Sequence, residues 1–141
     1  MRLRCDHLHL YTADIDATAR WYERVLGASI LRTRQSDGRV RTDLQLEGMT
    51  LYLSDARKLE ANLGWKLNQA APSPRYGLDH FGLAVDDLEE AARLLIERGA
   101  RITYGPRTLR PGAACLYLEA PDGVIIEVIA RDMTIDSQPV D

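Results

Sequence analysis

Histidine is scarce in this chain: 141 residues hold three, His7, His9 and His80. Cysteine is scarcer. Cys5 and Cys115 are too few for a disulfide framework and lack the paired spacing of a structural zinc site. They predict two buried thiols in a reducing compartment. Long apolar runs are missing, and no segment approaches the roughly 18 residues of a membrane span. The opening MRLRCD has no apolar signal core, so a cytoplasmic location is expected. Positive charge is not in excess either. Lys+Arg 18 against Asp+Glu 21 gives a net charge of −3, which argues against a general nucleic-acid or anionic-membrane binder. The 45% apolar content is ordinary, and the length fits one domain or two half-sized modules sharing a core.

The order of elements is legible from periodicity. Leu8 and Leu10 alternate with His7, His9 and Tyr11, the mark of a two-faced strand. Asp14 and Asp16 are cap candidates for a helix near 14–27, where Trp21, Tyr22, Val25 and Leu26 fall at helical spacing and Gly27 is a stop. Three strands follow: ASILRTR, then VRTDLQLEG after a QSDGR turn, then MTLYLSD. The second half repeats the order. LDHFGLAV reads as a strand and 86–98 as a helix, capped by Asp86 or Asp87 and carrying an apolar stripe of Leu88, Ala91, Ala92, Leu95 and Ile96. ARITYG, AACLYLEAPDG and VIIEVIAR complete the set, with a Pro-Asp-Gly turn before the last. Asp6 and His7 recur as Asp79 and His80, 73 residues later. A repeat of this length points to a duplicated βαβββ unit in an α+β fold. The expected boundaries are a first module at 1–56, a linker at 57–77, a second module at 78–131 and a peripheral tail at 132–141. Trp65 is expected to pin the linker.

The histidines sit at equivalent places in the two repeats. On each strand the leucine face needs a helix over it, so His7 and His9, and likewise His80 and Gly82, point the other way. Glu127 lies alone inside VIIEVIA, where a carboxylate costs several kcal/mol unless it is paired or coordinates a cation. Two imidazoles and one carboxylate, His7, His80 and Glu127, make a set suited to Fe(II) and acceptable to Zn, Mn, Co or Ni. The competing reading gives Glu127 an ion pair with Arg41, Arg107 or Arg110 and leaves the histidines structural. The stretch TYGPRTLRPGAA reads as a loop whose Arg107 and Arg110 either hold an anionic substrate group or form a solvated turn.

The repeated DH strand start, the WYERVLG helix end and the closing APDGVIIEV resemble the vicinal oxygen chelate superfamily, which includes glyoxalase I, extradiol dioxygenases and bleomycin resistance proteins. The resemblance covers residues 3 to about 131. It implies paired βαβββ modules around a divalent metal, with His7, His80 and Glu127 as ligands, Fe2+ favoured, and Zn2+, Mn2+, Ni2+ or Co2+ as alternatives. The position of a fourth ligand in glyoxalase I falls here on Tyr52. A neutral phenol is a poor ligand, so Tyr52 is assigned to the substrate, and the remaining three-ligand set is nearer the dioxygenase pattern. Tyr117, ten residues before Glu127, matches a substrate-binding tyrosine of those enzymes and is assigned a catalytic role. Their acid–base histidine has no counterpart. His9 is the spare one, roughly 6.5–7 Å from His7 along the strand, and is assigned as acid–base. A dioxygenase-like enzyme on a small molecule is the first expectation. A glyoxalase- or epimerase-like lyase or isomerase is the second, and a non-catalytic sequestering protein the third. A homodimer is expected, with no nucleic-acid or membrane partner.

Overall fold

The computed structural model describes residues 1–132; the expected tail beyond Asp132 lies outside them. The chain divides into two compact units, Met1–Gln69 and Ala70 onward.

In the first unit, β1 (Leu8–Thr12) leads into α1 (Ile15–Leu26). The helix starts where the Asp14 carboxylate accepts the amide of Ala17 at 2.9 Å, satisfying one of its free N–H groups. It stops at Gly27, whose φ of 72° turns the chain back and lets the Gly27 amide bond the carbonyl of Glu23. Strands β2 (Ser29–Arg34), β3 (Val40–Leu46) and β4 (Met49–Asp55) complete a sheet of order β1-β4-β3-β2, parallel between β1 and β4 and antiparallel elsewhere. Ala19, Tyr22 and Val25 of α1 are buried, as are Leu44, Leu51 and Leu53 of the sheet. Each fully buried Leu or Val contributes about 1.5–3 kcal/mol of transfer free energy.

The second unit repeats the plan. It has β5 (Phe81–Ala84), α3 (Leu88–Glu97), β6 (Arg101–Arg110), β7 (Ala113–Glu119) and β8 (Ile125–Arg131), in sheet order β5-β8-β7-β6. Asp87 caps α3 by accepting the amide of Glu90 at 2.9 Å. Leu88, Ala92 and Leu95 are buried beside Leu116, Leu118 and Ile126. Between β7 and β8, Pro121–Gly123 forms a 3-10 turn with Asp122 at φ 61°.

Several expectations are corrected. The linker reading missed α2 (Ala56–Leu63), which Asp55 caps by accepting the amide of Lys58 and Gly64 ends. None of its residues is fully buried, so its apolar pattern was faint. Trp65, expected to pin the chain, is exposed, and so is Ile96, expected in the stripe of α3. Cys115 is buried as expected, but Cys5 is exposed. TYGPRTLRPGAA is not a loop. β6 runs through it with register shifts, Arg107 opposite Cys115 and Arg110 opposite Ala113. Pro106 is accommodated because β6 is the sheet's edge strand, where a missing amide donor costs no ladder bond. Among the described residues, no helix is long and apolar enough to cross a membrane.

Candidate functional site

The two sheets carry the same register. In the first, His9 lies opposite Tyr52, and Tyr52 opposite Asp43. In the second, Gly82 lies opposite Glu127, and Glu127 opposite Tyr117. Partners across a ladder share a face, so each sheet presents one row away from its helix, which Leu31 opposite Asp43 and Tyr104 opposite Tyr117 complete on the outer strands. Tyr52 therefore does stand where Glu127 stands in the other unit.

Glu127 is the centre of the second unit's row. His80 Nε2 is 3.5 Å from Glu127 Oε2. The hydroxyl of Tyr117 donates to Glu127 Oε1 at 3.2 Å. Burial, and then the neighbouring Glu127 carboxylate, push the Tyr117 phenol up to about 12, so it is a donor and not a base at neutral pH. The thiol of Cys115 is pushed up by burial and by the same carboxylate. Glu127 thus has His80 and Tyr117 as close partners. A Cβ at Gly82 would lie 3.5 Å from Glu127 Oε2, in ordinary contact with the carboxylate.

His80 is braced from behind. Its Nδ1 donates to the Asp79 carboxylate at 2.7 Å. Asp79 in turn accepts the Ser73 hydroxyl at 2.9 Å and the Arg75 amide at 2.9 Å. The Arg75 guanidinium ties down the carbonyls of Ala71 and Asp79. The hydrogen bond from His80, and then that from Ser73, hold the Asp79 carboxyl below its ordinary range. With Nδ1 engaged, Nε2 is the ring nitrogen that could serve a metal, as in imidazoles whose other nitrogen donates to a carboxylate.

His7 has the same arrangement in the first unit, its Nδ1 donating to Asp6 at 2.7 Å. Its ring stacks on Tyr52 at 3.9 Å between centroids. The Arg41 guanidinium lies 4.5 Å from the centre of the Tyr52 ring. His9 Nε2 is 2.7 Å from the Ser54 hydroxyl, and its ring stacks on Tyr11 at 5.0 Å. The two histidine rings are 6.1 Å apart, close to the strand spacing expected. Neither unit by itself gathers three or more His, Cys, Asp or Glu side chains able to hold a metal, among the described residues. The expected set draws His7 from the first unit, and His80 and Glu127 from the second.

Arg107 and Arg110 sit on β6, with Arg107 5.5 Å from the Tyr104 ring centre. Sequence reasoning missed Asp6 and Asp79 as braces, although the repeated DH pair was the signal for both. It also missed Asp43, Ser54, Ser73 and Arg75, which no local pattern marks.

Comparison with known proteins places this geometry in context. The Glyoxalase/Bleomycin resistance protein/Dioxygenase superfamily model matches residues 4–128. A lactoylglutathione lyase of Escherichia coli O157:H7 is 27% identical over 128 residues, which are 90% of this chain and 92% of that protein. A probable chloroplastic lactoylglutathione lyase of Arabidopsis thaliana is 26% identical over 91% of this chain, and the chain spans only 36% of that protein's length. A glyoxylase/bleomycin resistance protein/dioxygenase domain from Frankia sp. EAN1pec shares the fold, with a TM-score of 0.67, 23% identity, and 94% of each chain covered.

Proposed function

The chain belongs to the Glyoxalase/Bleomycin resistance protein/Dioxygenase superfamily, and from that premise we propose a metal-dependent enzyme whose small substrate chelates the metal through two neighbouring oxygens. The observation that carries the proposal is the pair of DH doublets. Each histidine has Nδ1 tied to the preceding aspartate, which turns Nε2 outward as a ligand, and in the second unit that nitrogen already meets Glu127. Two imidazole nitrogens and one carboxylate fit a divalent transition ion, Fe2+, Zn2+, Mn2+, Ni2+ or Co2+. His7, His80 and Glu127 would hold it, from one chain or from two copies. When bound, the ion supplies Lewis acidity toward a substrate carbonyl.

The protein groups define the rest. Tyr117 fixes the Glu127 carboxylate by donating to it. Tyr52 holds the His7 ring by stacking. His9, oriented by Ser54 and Tyr11, is the mobile-proton group. With Nε2–H donated to Ser54, its Nδ1 takes a proton from the carbon beside the carbonyl and returns it to the neighbouring atom. This is the work of a lyase or isomerase. It stands ahead of the dioxygenase expectation, because the Tyr117 hydroxyl is spent on Glu127 and the curated relatives carry lyase names. The dioxygenase reading keeps the three-ligand count in its favour.

Two assays on metal-loaded protein decide the matter. Solvent deuterium should enter the carbon next to the carbonyl of α-oxygenated aldehyde or ketone substrates, and His9→Ala should abolish that exchange. Oxygen uptake on catechols by the Fe(II) form, with no deuterium incorporation, would establish the dioxygenase instead.

A further inference from the structure

The first unit contains a cavity of about 700 Å³ lined by Tyr11, Ser54, Arg39, Arg41, Asp55 and Lys58 among others. Three of its lining side chains are cationic and one is a carboxylate, and Asp55 is occupied by capping α2 and by Lys58 Nζ at 3.9 Å. The cavity adjoins His9 directly. Ser54, which bonds His9, and Tyr11, which stacks on it, are both wall residues.

Arg41 differs from the other two cations in how it is held. Arg39 is 84% exposed and pairs with Asp37 across its own turn, and Lys58 is equally exposed. Arg41 is 40% exposed, against 3% for its partner Asp43. Its Nε donates to Asp43 Oδ2 at 2.9 Å, Nη2 lies 2.9 Å from the same oxygen as an ion pair, and the guanidinium lies over Tyr52. Asp43 Oδ1 is buried without a hydrogen-bond partner. A buried carboxylate oxygen left unpaired is costly, and the return for that cost is a guanidinium fixed in one orientation. Nη1 and the second hydrogen of Nη2 remain for two oxygens of an anion, and the ordering entropy of a long side chain is already spent. Arg39 and Lys58 bring two further cationic side chains to the wall, each with its own carboxylate, Asp37 and Asp55.

We propose that Arg41 anchors an anionic group, a carboxylate or a phosphate, at the end of the substrate remote from the reacting carbon, seated in this cavity, with Asp43 as the residue that positions Arg41. The substrate class becomes an α-oxygenated carbonyl compound bearing an anionic tail. This rests on the reading of His9 as the proton-transfer group.

The test uses metal-free full-length protein, so that failure of the metal site does not touch it. The side-chain Nε–H resonance of Arg41, and the backbone amide resonances of β3 that remain readable in every variant, are followed by NMR during titration with inorganic phosphate and, separately, with malonate, at ionic strength held constant with NaCl. A saturable shift is expected with at least one of them. Arg41→Lys should weaken that binding about tenfold or more by loss of the fork. Asp43→Asn should weaken it several-fold, since a neutral amide holds the guanidinium less firmly than the carboxylate does. Saturation by phosphate alone assigns a phosphate ester, by malonate alone a carboxylate, and by both an anion site without preference. A linear response matching NaCl for both probes, or equal binding by Arg41→Lys, overturns the proposal. Metal stoichiometry measured in parallel reports on the metal site separately.

Discussion

A histidine ligand is only as fixed as the group behind it, and the two braces here are unequal. Asp79 is 24% exposed and held by Ser73 and Arg75, whereas Asp6 is 82% exposed. Asp79→Asn should lower metal affinity about 10–100-fold, and Asp6→Asn by clearly less, as read by competition with a chelating dye. Replacing His7, His80 or Glu127 by Ala should cost more than either. Tyr52→Phe keeps the stack on His7 and should leave affinity within about threefold. Full metal occupancy in His80→Ala would remove the site altogether. The pH dependence of stability has a defined sign. Folded Asp79 has a lowered pKa, so the unfolded chain takes up its proton at higher pH. Its stabilisation is present above the ordinary carboxylate range and is lost as pH falls through and below it. Between pH 7 and 3 the melting temperature of Asp79→Asn should therefore fall less steeply than that of the parent. The two DH doublets were legible in the sequence because a duplication marks equivalent places twice, and Glu127, whose counterpart is Tyr52, was legible as a lone carboxylate in an apolar run. Asp43, Ser54 and Arg75 were not, because their roles arise from strand pairing and chain reversal that no local pattern encodes.

At the scale of elements, α1 and α3 were readable because cap, stripe and glycine stop agree at each. β6 was truncated in the sequence reading at Gly105-Pro106, since both residues normally end a strand. The structure absorbs them in an irregular edge. Gly105 has φ 75°, and a Cβ there would lie 2.5 Å from the carbonyl oxygen of Cys115 and 3.0 Å from the Cα of Leu116. Backbone cannot yield as a flexible side chain can, so Gly105→Ala should destabilise the protein by about 2 kcal/mol or more, combining clash with a disfavoured conformation. A urea midpoint equal to the parent's would contradict this. Because β6 pairs with β7, which carries Cys115 and Tyr117 beside Glu127, the same variant should also lower metal affinity. α2 escaped notice for the opposite reason: its caps are good but it buries nothing completely.

For the whole molecule the open question is how many chains build one site. We expect a homodimer, with light scattering giving twice the chain mass. Mixing then identifies the arrangement. If His7 of one subunit serves His80 and Glu127 of another, equimolar His7→Ala and Glu127→Ala chains, unfolded and refolded together, should regain one intact site per heterodimer. If each chain supplies all three ligands, the mixture stays metal-free. The matched registers of the two sheets have a further consequence. His9, Tyr52 and Asp43 occupy one row; Gly82, Glu127 and Tyr117 occupy its counterpart. The leucines and isoleucines that hold each helix point away from these rows, so the chemistry is written on a surface that carries little of the folding free energy. A combinatorial library at Tyr52 and Gly82 would sample new reactions on an unaltered frame, and Tyr52→Glu is the single change that would make the two rows carry the same carboxylate.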